Sequence, residues 1–73
     1  MHPMLRAPCD IAETGDWAED NRAGRELARD LINHLRETES VPAFGGVMKR
    51  MAEFGRWGGV EVGFAAAIAS AAL

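Results

Sequence analysis

The last fifteen residues, Gly59 to Leu73, carry one charged side chain, Glu61, among two valines, Phe64, Ile68, Leu73 and six alanines. A helix over this stretch is apolar on every face. Such a helix normally has to be buried on more than one side. It is too short to be a membrane span: the apolar run from Val62 to Leu73 is twelve residues, against about 20 for a helix that crosses a bilayer. A chain of 73 residues has few other elements with which to cover it. The surplus face therefore points toward a partner, a second copy of the chain or another protein.

Size sharpens this constraint. A domain this small buries roughly 60% of its unfolded surface and is marginal alone. Disulfides, a metal, oligomerisation or very regular helix packing usually make up the deficit. Cys9 is the only cysteine, so no internal disulfide forms. Structural zinc needs four ligands at motif spacing. Cys9, His2 and His34 form no C-x-x-C or H-x-x-x-H pattern, so no metal and no cofactor is expected. Packing and self-association remain. The N-terminus has no apolar signal region, and a lone cysteine suits a reducing compartment. The expected location is cytoplasmic, without membrane attachment.

Residues 1–12 read as an irregular N-terminal arm, because Pro3 and Pro8 each push the preceding residue toward extended geometry. Residues 13–73 read as a single three-helix domain. Asp16 is a good N-cap, and Glu19 three positions on gives the pair capping-box form. Trp17, Gly24, Leu27, Ala28, Leu31, Ile32 and Leu35 then share one arc, with charged residues opposite, which predicts a long amphipathic helix over 17–38. Gly24 on that apolar seam costs about 1 kcal/mol relative to alanine; close approach of another helix would be the compensation. Ser40 as N-cap and Pro42 in the first turn open a second helix over 42–54, and Gly55 closes it. A third helix is expected over 60–72. The fold class is all-α: one long and two shorter helices around a core of Leu27, Leu31, Leu35, Phe44, Met48, Met51, Phe64 and Ile68.

Four features invite a functional reading. Gly59, Gly63, Ala67 and Ala71 recur every four residues, a pattern that lets helix backbones approach closely, here read as a contact that includes another chain. The opposite face, Val62, Ala65, Ala66, Ala69 and Leu73, is the candidate homodimer surface. Arg56 and Trp57 stand in a glycine-flanked turn, and these two residue types are enriched in binding hot spots. The competing role for Trp57, a lid over the helix ends, ranks ahead because a small core needs large aromatics. Residues 10–20 hold five acids and no base, while net charge is −3, so the remainder of the chain sums to +2. Asp16, Glu19 and Asp20 are candidates to mimic phosphates in a partner's basic groove, although acids at a helix start also complement its dipole.

Chemistry weighs against the other classes. Nucleic-acid binding depends on Lys and Arg neutralising phosphates, and the net charge opposes it. A helix-turn-helix made of the last two helices would present Val60, Glu61, Val62 and Phe64 to the bases, with no residue that reads them. Cys9 has no histidine with an orienting partner beside it in sequence, and so small a chain lacks a pocket of usual size. No catalytic residue is expected, and the protein is not read as an enzyme.

In size, acidity and helical content the chain resembles small phage or prophage accessory proteins, including anti-CRISPR inhibitors. The resemblance implies a protein that blocks a surface of a larger, nucleic-acid-binding complex. It carries no residue pattern, so no residue's role transfers with it. A homo-oligomeric adaptor is the competing expectation, followed by a DNA-binding regulator.

Overall fold

The computed structural model describes residues 6–39 and 41–72. Three helices follow a short 3₁₀ turn at Pro8–Asp10: α1 (Trp17–Thr38), α2 (Val41–Phe54) and α3 (Gly59–Ala72). No strand occurs among the described residues. The second and third helices each begin one residue earlier than expected; Ser40, the expected N-cap, lies outside the described residues.

Local chemistry sets the helix ends. The Asp16 carboxylate accepts from the N–H groups of Ala18 (3.0 Å) and Glu19 (3.3 Å), so it caps α1. The reciprocal half of the capping box is not made. Thr14 Oγ1 already accepts from the Asp16 N–H at 3.1 Å, and Glu19 turns to Arg22 at 3.1 Å instead. Gly55 ends α2 with φ of 76° and returns its N–H to the Met51 carbonyl at 3.0 Å. That left-handed geometry suits glycine because there is no Cβ to clash.

The principal contact in the molecule is α1 against α3, and it is a contact of backbones. A Cβ added to Gly24 would collide with the Val60 carbonyl and lie 2.8 Å from the Phe64 nitrogen. One added to Gly63 would collide with the Asn21 carbonyl and lie 2.9 Å from Asn21 Cα. At Gly59 a Cβ would meet Asp20 Cβ at 2.9 Å. The helical cost of Gly24 is therefore spent on close approach. Of the recurring small residues of α3, Gly59 and Gly63 face α1 within one chain, whereas Ala71 is exposed.

The core is Ala28 and Leu31 of α1, Val47 and Met51 of α2, Phe64 of α3 and Ala7 from the segment before α1. Leu27, Leu35, Phe44 and Ile68 pack against it half-buried, while Met48, expected inside, is 38% exposed. Ala7 and Pro8 are buried, so the segment read as an irregular arm contributes to the core. Its 3₁₀ turn touches both α2 and α3. The turn is pinned from outside by an ion pair of Asp10 with Arg50.

Candidate functional site

The charged groups singled out in the sequence are used internally. Asp20 is 5% exposed, and its Oδ1 accepts from the Thr14 N–H (3.0 Å) and the Thr14 hydroxyl (2.9 Å). Those bonds offset the cost of burying a carboxylate and tie the segment before α1 to its first turn. Asp16 is the α1 cap, and Glu19 is paired with Arg22. Asp20 is thus withdrawn from the surface, while Asp16 and Glu19 remain exposed with partners inside the chain.

Arg56 is likewise a clamp. Glu61, the third residue of α3, is fully buried, and its carboxylate accepts from the Gly58 N–H at 2.9 Å. This is the backward reach of an N3 glutamate onto a helix start. Arg56 Nε donates to both Glu61 oxygens (3.2 and 3.0 Å), and Nη2 lies 2.8 Å from Glu61 Oε2. The same Nη2 donates to the Pro8 carbonyl at 2.8 Å, and Glu13 Oε1 is 3.7 Å from Nε. Hydrogen bonding to Glu61 holds the guanidinium above its ordinary range, although burial works the other way. One arginine therefore joins the N-terminal segment, the interhelical turn and the start of α3. It does not stand free for a partner.

Trp57, its neighbour, is 56% exposed and does not form a closed lid. It lines a groove of about 260 Å³ between α2 and α3. Phe44 and Met48 on α2 face Ala65, Ile68 and Ala69 on α3 across it; Met51 and Phe64, both buried, form its floor. No charged side chain lines the groove. The groove exists because α3 approaches α1 through glycines, whereas α2 meets α3 through long side chains that do not close the gap.

Of the candidate self-association face, Val62 is 42% exposed, and Ala65, Ala66 and Ala69 are exposed as well; Leu73 lies outside the described residues. Covering of this face by the N-terminal segment was the alternative. Ile11 lies instead beside Ala23 and Leu27 of α1, and Leu5 is outside the described residues. The structure thus brings Trp57 together with Ala65 and Ala69 in one groove, whose lining includes none of Asp16, Glu19 and Asp20. The sequence reading missed Met48 as a groove lip. Its place four residues after Phe44 marked it as apolar-face, but only the gap between helices leaves it open.

Among the described residues two further cavities are open and of mixed polarity, one beside Cys9, Asp10, Arg50 and Phe54, the other beside Arg6, Ile11, Glu26 and Asp30. Among the described residues no group of three His, Cys, Asp or Glu side chains is placed to hold a metal, and no helix is long and apolar enough to cross a membrane. No family model matches the sequence, and no curated protein or solved structure matches it either.

Proposed function

We propose that the protein is a non-enzymatic, cytoplasmic protein-binding module whose docking site is the apolar groove between α2 and α3. The observation that carries this reading is the lining: apolar side chains throughout, with Met48 and Trp57 open to water at its edge. Grooves of this kind take the apolar face of a helix. Methionine suits such a site because its flexible thioether adapts to the shape of what binds, and tryptophan supplies the largest contact area of any side chain.

The inhibitor role implied by the resemblance to phage accessory proteins is the finer form of this proposal. It would act through the groove. Asp16, Glu19 and Asp20 are already engaged within the chain, so the blocked surface need not be basic.

The test is photo-crosslinking in the protein's own cells. p-Benzoylphenylalanine at position 48 probes the groove; the same group at position 29, on the exposed face of α1, is the control. The proposal expects polypeptide adducts at 48 that are lacking at 29. Equal labelling at both positions, or none at 48, would overturn it.

A further inference from the structure

Resting on the groove reading, we infer that the occupant of the groove is α3 of a second copy of this chain, in a two-fold dimer. The argument begins with charge. An uncharged groove that closes around a helix can accept only an uncharged face, because a buried unpaired charge is too costly. The exposed face of α1 carries Arg22, Arg25, Glu26, Arg29 and Asp30, and that of α2 carries Lys49 and Glu53. Only α3 presents an outer face without charge. Its single acid, Glu61, is turned inward and neutralised by Arg56.

Shape selects the same helix. The outer face of α3 is a ridge of alanines with Val62 at one end, which offers small apolar side chains to a groove of about 260 Å³. Ridge and groove are also neighbours, since Ala65 and Ala69 form one wall of the groove and belong to the ridge itself. A two-fold axis beside α3 therefore seats both ridges in both grooves at once, the self-complementary arrangement an isologous contact requires. A foreign helix would fill the groove and leave the ridge in water. Because the contact excludes charged groups, the net charge of −3 on each chain stays outside it.

The size of the patch sets the class of contact. The patch consists of Trp57 (56% exposed), Met48 (38%), Val62 (42%) and a row of alanines, fewer residues than the roughly 20–30 a side of a standard interface. The dimer accordingly belongs to the small, transient class of interface, and protein concentrations from about 10 µM to about 1 mM are the ones that test it.

Sedimentation equilibrium of the purified protein across that range tests the inference. The mass should rise from 7.9 kDa toward twice that value with concentration. Ala65→Glu and Ala69→Glu, which keep a good helix former, should hold it at one chain while helicity by circular dichroism is retained. Arg29→Ala should behave as wild type. In purified protein with p-benzoylphenylalanine at position 48, the crosslinked residue of the other copy should fall within residues 62–69. A wild-type mass of one chain at about 1 mM, or a dimer indifferent to both glutamate substitutions, overturns self-pairing. If position 48 still captures a different protein in cells, the groove reading survives that failure. If it captures nothing, both readings fall.

Discussion

The two faces of α3 meet their neighbours by different physics. Toward α1 the contact is backbone on backbone, admitted by Gly24, Gly59 and Gly63, with no room for one more carbon. Toward α2 the contact is made by Phe44, Met48 and Met51, and a groove remains. The glycines of α2 share the contrast: a Cβ on Gly45 or Gly46 would meet nothing within 4 Å. The same residue type thus marks close packing in one helix and open surface in another. The comparison teaches that small residues in a sequence announce the possibility of approach, and only the partner's position tells whether it is used.

The largest effect that can break this comparison concerns the clamp on the tight side. Glu61→Ala leaves Arg56, half-buried, without its main partner and the Gly58 N–H without an acceptor. Breaking one side of a buried pair costs about 3–5 kcal/mol, so denaturant unfolding should show a destabilisation of that order. Glu53→Ala, which removes an exposed pair at 3.7 Å with Lys49, should change stability by less than about 0.5 kcal/mol. Similar values for the two would mean that Glu61 is not held as described.

Core truncation comes next. Leu31, 3% exposed, should lose about 2–5 kcal/mol on replacement by alanine. Met48→Ala, at the groove lip, should lose less than about 1 kcal/mol because little packing is removed. A loss below about 0.5 kcal/mol at Leu31 would show that the α1 seam is not the core.

The glycines sharpen the contrast directly. Gly63→Ala and Gly24→Ala should each destabilise by about 1–3 kcal/mol through overpacking against backbone, although alanine is the better helix former by about 1 kcal/mol. A gain in melting temperature for either would mean that α1 and α3 are farther apart than the structure has them. The smallest effect has the opposite sign. Gly45→Ala and Gly46→Ala should stabilise by about 0.5–1 kcal/mol, since helix propensity improves and nothing is displaced. Destabilisation there would mean that α2 is more closely covered than the groove implies.

Much of the fold was legible because its signals are local. Asp16 before an amphipathic arc placed α1, and Gly55 closed α2, each from a few neighbouring residues. The candidate site was half legible. Trp57, Ala65 and Ala69 stood out by type, but they came from separate arguments, one about hot spots and one about an apolar face. Their meeting in one groove depends on how α2 lies against α3. The intrachain partners of Arg56 and Asp20 were invisible for the same reason. A charged side chain reads as surface until its partners are known, and those of Arg56 include the Pro8 carbonyl, 48 positions away in sequence.

The sequence by itself determined three helices, their ends to within a residue, the amphipathic seam of α1 and the absence of charge over most of α3. These follow from hydrogen-bond chemistry and periodicity within a turn or two of each residue. It placed Phe64 and Ile68 on the inner side of α3 and Val62, Ala65, Ala66 and Ala69 on the outer side, as observed, but it did not determine which neighbour each side meets, because an apolar surface names no particular partner. The tertiary structure decided that. Gly59 and Gly63 admit the α1 backbone on one side, and Arg56 draws Glu61 into the interior. The alanine ridge is left outside as the one face of α3 with neither a close-packed neighbour nor a charge.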